Sequence, residues 1–318
     1  MAAVTDRCMS DAMPRQEETT NPMSTSFYDD RFTRRRITVD DGIGIHLVEG
    51  GEGPPLLLLH GYPESHVMWH KVAPALAAHF RLVIPDLRGY GDSDRPAGDA
   101  AHATYSKRRM AADMAQVMTA LGHERFSVAG HDRGARVTHR LLRDHQQRIV
   151  KASVMDVVPT LDVYEATDIT VATSYFHWFF LIQEGGLPER LIAGDPGFLL
   201  DWACDRLCVD PAAIGPEERE EYKRWFVLTE TIHATCEDYR AGATIDLEHD
   251  RADRDLKLTV PLLVLWGAHR LVGKRFDPLA IWRSYAETVE GEALDCGHFL
   301  PEEAPDEVAR RMIAFFTT

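Results

Sequence analysis

Five short apolar segments, separated from one another by stretches long enough to form helices, constrain the fold of this chain more than any other feature. They are Leu56–Leu59, Leu82–Ile84, Phe126–Ala129, Ile149–Val154 and Leu262–Leu265. Short apolar runs that alternate with helix-length segments are typical of parallel strands whose two faces are both covered by helices. The sequence therefore predicts an α/β protein with a mostly parallel sheet.

The segments at the two ends of the chain have different patterns. Residues 34–48 alternate apolar and polar side chains around Asp40-Asp41-Gly42, which predicts a β-hairpin. Residues 1–27 are polar and lack apolar periodicity, which indicates a disordered tail. Near the other end, Pro301–Phe316 has the pattern of a final helix.

The strand pattern lapses between residues 159 and 245, where aromatic-rich helical stretches such as Tyr175–Phe180 take its place. We interpret this region as a helical cap inserted after the sixth strand of the sheet. Residues 28–158 and 246–318 would then form the core domain.

The charge and the cysteines exclude several classes of function. Fifty acidic and 35 basic residues give a formal net charge of −15, which repels nucleic acid and anionic membrane surfaces. The apolar run Pro54–Leu59 is far shorter than the roughly 20 residues that span a bilayer. The five cysteines form no C-x-x-C pair and have no zinc-ligand spacing, so we expect a cytoplasmic protein without a metal site.

The strongest chemical signal is the segment Gly-His-Asp-Arg-Gly at residues 130–134, which follows an apolar run and precedes a helical stretch. This is the G-x-nucleophile-x-G turn, with Asp132 in the nucleophile position. A carboxylate can displace a leaving group from saturated carbon and become an ester that water then hydrolyses. We predict that Asp132 is the nucleophile; the alternative is that it only caps the helix.

Partners for this nucleophile follow in the expected order. His298 lies just before the final helix, where this arrangement places its catalytic base. Asp156 follows the Ile149–Val154 run and is the predicted acid that orients His298, with Asp277 as the alternative. The backbone N–H groups of Tyr62 and Arg133 are the predicted oxyanion-hole donors.

Seven separated segments carry a further pattern. They are residues 60–63 (His-Gly-Tyr-Pro), 86–93 (Asp-Leu-Arg-Gly-Tyr-Gly-Asp-Ser), 130–136 (Gly-His-Asp-Arg-Gly-Ala-Arg), 156–160 (Asp-Val-Val-Pro-Thr), 177–181 (His-Trp-Phe-Phe-Leu), 238–242 (Asp-Tyr-Arg-Ala-Gly) and 297–299 (Gly-His-Phe). Through them the chain resembles the haloacetate (fluoroacetate) dehalogenases of the α/β-hydrolase superfamily, over nearly its whole length from about Arg34. The resemblance implies the α/β-hydrolase fold, no organic cofactor and a possible homodimer.

The resemblance also implies roles for five side chains. Arg133 and Arg136 look like the pair that holds the substrate carboxylate, which guanidinium groups bind bidentately. His177, Trp178 and Tyr239 look like the halide pocket, whose donors stabilise the departing anion. The alternatives are ordinary salt bridges for the arginines and ordinary core packing for the aromatic residues.

The sequence thus predicts a hydrolytic dehalogenase that converts a small haloacid such as fluoroacetate or chloroacetate to glycolate and halide. An epoxide hydrolase would use the same Asp132 and His298, with Tyr175 or Tyr239 protonating the opening ring. A noncatalytic ligand receptor on the same fold is the third possibility.

Overall fold

One mixed sheet forms the centre of the computed structural model, which describes residues 16–17 and 27–318. Within those residues the strands are β1 (Gln16–Glu17), β2 (Phe32–Thr38), β3 (Gly44–Gly50), β4 (Pro55–Leu59), β5 (Arg81–Pro85), β6 (Phe126–His131), β7 (Ile149–Met155), β8 (Leu262–Gly267) and β9 (Val289–Leu294). Their order in the sheet is β1-β2-β3-β5-β4-β6-β7-β8-β9. Most of the predicted tail over residues 1–27 lies outside the described residues.

The sheet confirms the predicted strand directions. β2 and β3 form the predicted antiparallel hairpin, and β3 pairs antiparallel with β5. From β5 to β9 every neighbouring pair is parallel. Leu56–Leu59 of β4 are fully buried, so both faces of this strand are covered, as a continuous apolar run predicts.

The fifteen α-helices of the described residues vary widely in length. They are α1 (Ala73–Leu76), α2 (Lys107–Ala120), α3 (Asp132–His145), α4 (Thr160–Glu165), α5 (Ile169–Ser174), α6 (Phe176–Leu181), α7 (Leu187–Ile192), α8 (Pro196–Leu207), α9 (Pro216–Phe226), α10 (Thr229–Ala243), α11 (Ile245–Ala252), α12 (Leu271–Arg275), α13 (Pro278–Tyr285), α14 (Leu300–Glu303) and α15 (Pro305–Thr317). None of them combines the length and the apolar character that a membrane crossing requires.

Two details differ from the sequence-based expectations. The predicted final helix is interrupted at Ala304, because Pro305 begins a new helix and cannot supply the N–H group that would continue α14. Strand β9 was not predicted from the sequence. It lies at the edge of the sheet and is only partly buried, so its Val-Glu-Gly-Glu-Ala-Leu sequence lacks a continuous apolar run.

Helices α4 to α11 occupy the chain between β7 and β8, the region interpreted as a cap. α10 is the central element of this region, because it packs against α6, α7, α9 and α11. It also contacts the short 3-10 helix Ala103–Tyr105 of the core. The division into a core and a cap at residues 159 and 245 remains a prediction.

Candidate active site

The turn between β6 and α3 holds Asp132 in a strained conformation. Its φ angle is +43°, in the left-handed region that non-glycine residues rarely adopt. The flanking glycines make the turn possible, because a Cβ atom on Gly130 would lie 2.4 Å from the carbonyl oxygen of Gly134. A Cβ atom on Gly134 would lie 2.5 Å from the carbonyl oxygen of His60. The turn therefore presents Asp132 at the carboxyl end of the sheet, where ligands bind in α/β proteins.

The carboxylate of Asp132 is buried but remains ionised. Burial raises its pKa, but the positive charges of His298, Arg136, His131 and Arg133 outweigh that effect and lower the pKa to about 2. The backbone N–H of Tyr62 donates a hydrogen bond to Oδ2 of Asp132 across 3.1 Å. Arg133, whose backbone N–H is the other predicted donor, is in the first turn of α3, where N–H groups lack intrahelical partners.

His298 and Asp156 lie together, as the sequence predicts. Nδ1 of His298 and Oδ2 of Asp156 are 2.6 Å apart, and the backbone N–H of Gly267 donates to Oδ1 of Asp156 across 2.9 Å. Burial by itself lowers the pKa of His298. The carboxylates of Asp156 and Asp132 outweigh this effect and raise the pKa to about 9. Asp277, the alternative acid, instead caps α13 by accepting from the N–H of Ala280.

Glu64 is a buried carboxyl group beside this site that the sequence did not single out as functional. Its Oε2 lies 3.4 Å from Nδ1 of His131, and neither of its oxygens has a hydrogen-bond partner among the residues that the structure describes. Burial raises its pKa, and it adds to the field that raises the pKa of His298. Nε2 of His131 in turn contacts the carbonyl oxygen of His298 across 2.7 Å.

The two predicted carboxylate-binding arginines have different surroundings. Arg133 donates Nε and Nη2 to the two carboxylate oxygens of Asp238, at 2.9 and 2.7 Å. Asp238 also accepts from the hydroxyl of Tyr90 at 2.7 Å and pairs with Lys107. The charge of Arg133 is thus largely satisfied within the protein.

Arg136 has no such counterion among the described residues. Its Nη1 donates to the carbonyl oxygen of Val158 at 3.1 Å and to the hydroxyl of Thr160 at 3.0 Å. Its Nε is buried and has no hydrogen-bond partner in the described part of the chain. Burial lowers its pKa, which is the electrostatic cost of a buried cation, and Asp132 is the nearby anion that opposes this effect. A buried guanidinium without a carboxylate partner favours binding of an anion.

The predicted halide-pocket residues form one aromatic cluster, which Tyr62 joins. The ring of Tyr239 lies 5.8 Å from His177, 6.3 Å from Trp178 and 5.4 Å from Tyr62. The hydroxyls of Tyr62 and Tyr239 are both buried, and neither has a hydrogen-bond partner within residues 16–17 and 27–318. Burial lowers the pKa of His177 to about 3, so its imidazole is neutral. The sequence predicted only the backbone role of Tyr62, because its side-chain position depends on the distant cap.

In the described part of the chain, two groups of side chains have donor atoms close enough together to share a cation. They are His46, His66 and Asp86, and His70, Glu218 and Glu302. In the first group each oxygen of Asp86 already accepts two hydrogen bonds from side chains or backbone N–H groups. Neither group contains a predicted site residue.

The chain is similar in sequence to several known proteins. Residues 54–305 match the family described as the alpha/beta hydrolase fold. A fluoroacetate dehalogenase from Burkholderia sp is 40% identical over 90% of this chain and 94% of its own length. A soluble epoxide hydrolase from Corynebacterium sp. (strain C12) is 35% identical over 87% of this chain and 94% of its own length.

Solved structures agree with these sequence relatives. The crystal structure of a candidate alpha/beta hydrolase from Nostoc sp PCC 7120 is 52% identical to this chain, with a TM-score of 0.88. The match covers 90% of this chain and 98% of that chain. The fold expected from the sequence is therefore confirmed, as is the resemblance to a fluoroacetate dehalogenase.

Proposed function

Because the chain belongs to the alpha/beta hydrolase fold family, we propose that it hydrolyses the carbon–halogen bond of haloacetates through an ester of Asp132. Its products are glycolate and halide. The 40% identity to a fluoroacetate dehalogenase supports this reaction class.

The observation that carries the proposal is the buried guanidinium of Arg136, which has no carboxylate partner among the described residues and lies one turn along α3 from Asp132. A carboxylate substrate supplies the counterion that Arg136 lacks, whereas a neutral epoxide does not. Because Asp132 is itself negative, an anionic substrate approaches it only with such a cation in place. Arg133 adds positive charge, although Asp238 compensates most of it.

In the first step, Oδ1 of Asp132 attacks the halogen-bearing carbon. Its Oδ2 is the oxygen that already accepts from the N–H of Tyr62, which leaves Oδ1 to attack. The new O–C bond forms as the C–X bond breaks, and the halide leaves with the bonding electron pair. His177, Trp178 and Tyr239 donate hydrogen bonds to the halide as its charge develops.

In the second step, His298 first releases the proton that it carries in the resting protein. It then takes a proton from water, and the resulting hydroxide attacks Cγ of the Asp132 ester. The negative charge develops on Oδ2, at the N–H of Tyr62. The Cγ–Oδ1 bond then breaks, and the glycolate oxygen takes the proton from His298. The second proton of the water passes from Asp132 to His298 and restores the resting state, so each haloacetate consumes one water and releases one proton with the halide.

The test is halide release from fluoroacetate and chloroacetate, measured beside an Asp132→Ala control. We expect stoichiometric halide and glycolate from the wild-type protein and none from the control. No halide from any haloacetate, or undiminished release by Asp132→Ala, would overturn the proposal.

Epoxide hydrolysis is the second candidate, and the buried hydroxyl of Tyr239 without a partner favours it. Burial raises the pKa of Tyr239 far above 10, so this hydroxyl is protonated and could donate to an epoxide oxygen. The 35% identity to a soluble epoxide hydrolase supports this candidate as well. Diol formation from neutral epoxides without halide release from haloacetates would favour this candidate over the first.

A further inference from the structure

We propose that four cations that line a cavity beside His298 attract the anionic substrate, and that this cavity is the entrance to the site. The four are Arg206, Arg270, Lys274 and Arg275, which we call the cationic collar. The inference rests on the proposed function, since it identifies the route by which a haloacid reaches Asp132.

The cavity has a volume of about 220 Å³ and reaches the buried pair of His298 and Asp156. Its walls come from α5, α8 and α12. Arg206, Lys274 and Arg275 are exposed at its rim, whereas His298 is only 6% exposed at its inner end. The cavity therefore runs from solvent to the predicted catalytic base.

Most of the collar lacks carboxylate partners. Arg206 and Lys274 form no ion pair within the described part of the chain, and Arg270 donates only to the carbonyl oxygens of Leu207 and Cys208. Arg275 alone meets a carboxylate, that of Asp168 at 3.2 Å. Asp156 is the one carboxylate in the described lining, and it is paired with His298.

Tyr175 separates this cavity from the aromatic cluster. It lines the cavity, and its ring lies 5.7 Å from His177 and 5.2 Å from Trp178. A small acid that enters past the collar thus meets Tyr175 and His298 before it reaches Asp132. The proposed route therefore requires a displacement of Tyr175, since the cavity lining includes none of the predicted halide-pocket residues.

A local cluster of positive charge matters in this protein because the chain as a whole carries −15. Its overall field repels an anionic substrate, and a cationic rim reverses that field at the entrance. Because the Debye length at physiological salt is about 8 Å, the attraction of such a rim acts over about that distance and weakens as salt rises.

The kinetic test reverses two collar charges, in a variant with Arg206→Glu and Lys274→Glu. Its matched control has Arg125→Glu and Lys257→Glu. These two exposed cations precede β6 and β8, so they lie on the side of the amino ends of the strands, opposite the site. We expect kcat/KM for chloroacetate to fall about tenfold in the collar variant through KM, with kcat retained. We also expect added salt to lower kcat/KM of the wild type and of the control more than that of the collar variant.

A second readout does not depend on turnover, because Trp202 lines the same cavity. Quenching of tryptophan fluorescence by iodide, an anion, is compared with quenching by neutral acrylamide. The contribution of Trp202 is the difference between each protein and the same protein with Trp202→Phe. We expect iodide quenching of Trp202 to fall severalfold in the collar variant only, with acrylamide quenching unchanged.

The outcomes of the two readouts are distinguishable. Unchanged iodide quenching in the collar variant overturns the inference, whatever the turnover. If iodide quenching falls in the collar variant but its KM for chloroacetate is unchanged, the collar attracts anions but is not the entrance for the substrate, and the inference is overturned. Reduced quenching in a protein whose wild type releases no halide supports an anion-attracting collar and overturns the proposed function instead.

Discussion

His298 and Asp156 are 142 residues apart in the sequence, yet their side chains approach to 2.6 Å. Asp156 follows β7 and has a φ angle of +53°, so it is turned at the strand end much as Asp132 is turned after β6. Because β6 and β7 are parallel neighbours, both carboxylates lie at the carboxyl ends of the strands, on the same side of the sheet. His298 therefore lies in the field of both anions and is protonated in the resting protein at neutral pH.

The pKa of His298 should depend on the state of Asp132. In the resting protein we expect the imidazole to titrate near pH 9, well above its ordinary 6.5. When Asp132 becomes a neutral ester, one of the anions that raise this pKa is lost, so His298 should release its proton at a lower pH and become a base. NMR titration of the resting protein should show the high pKa, and the rate of ester hydrolysis in rapid-quench experiments should rise with pH through a lower one. An inflection at or above pH 9 in the hydrolysis rate would contradict this coupling.

Replacing Asp156 with Asn should separate the two chemical steps. The imidazole loses the charge that orients it and stabilises its protonated form, so we expect hydrolysis of the ester to slow on the order of 10³-fold or more. Alkylation of Asp132 does not need His298 as a base and should change little. Quench-flow measurement of the two steps, with the Asp277→Asn protein as the matched control, checks this expectation. Equal slowing of both steps would mean that Asp156 has a different role.

The turn around Asp132 was predictable because its signal is local. Two glycines, a carboxylate and the flanking strand and helix all lie within a short stretch of sequence. The order of His298 after Asp132, and its place before the last helices, followed from the same pattern. The apolar runs likewise identified β4 to β8, because strands buried on both faces leave a continuous apolar signal.

The pairing of Arg133 with Asp238 could not be predicted in the same way. These two residues are 105 positions apart, and no local pattern tells which of two neighbouring arginines finds a buried partner. The buried hydroxyl of Tyr62 and the carboxyl of Glu64 depend on the cap and on β6 for their surroundings. Such contacts are tertiary, so the sequence indicated the residues of the site and the pairing of His298 with Asp156, but not these other buried contacts.

The different surroundings of the two arginines lead to opposite expectations for their replacement. Arg133→Met leaves Asp238 short of a partner and should lower the free energy of unfolding by about 3–5 kcal/mol. Arg136→Met removes a buried cation that has no carboxylate partner and should cost far less stability. It should instead raise KM for haloacetates about tenfold or more, since hydrogen bonds to charged groups contribute about 1.5–3 kcal/mol. Urea unfolding and steady-state kinetics measure both effects; a reversed pattern would assign the substrate carboxylate to Arg133.

The hydroxyl of Tyr239 should be more important for activity than for stability. Because it is buried without a partner, Tyr239→Phe should leave the free energy of unfolding unchanged or raise it by about 1 kcal/mol. Turnover of fluoroacetate should fall more than that of chloroacetate, because fluoride needs the stronger hydrogen-bond donors as it leaves.

Tyr222→Phe is the matched control for this change. The hydroxyl of Tyr222 donates to Glu302 across 2.6 Å, so its loss should destabilise the protein. The ratio of fluoroacetate to chloroacetate turnover should stay the same in this control. A clear loss of stability in Tyr239→Phe, with an unchanged ratio, would show that its hydroxyl is structural.

Intact-protein mass spectrometry of the His298→Gln protein after incubation with chloroacetate tests the formation of the Asp132 ester most directly. Without the base the ester should persist, so we predict a mass increase of one carboxymethyl group, located by peptide mapping on Asp132 and absent when Asp132→Ala is added. An unmodified His298→Gln protein that still releases halide, or a carboxymethyl group on any other residue, would contradict the account.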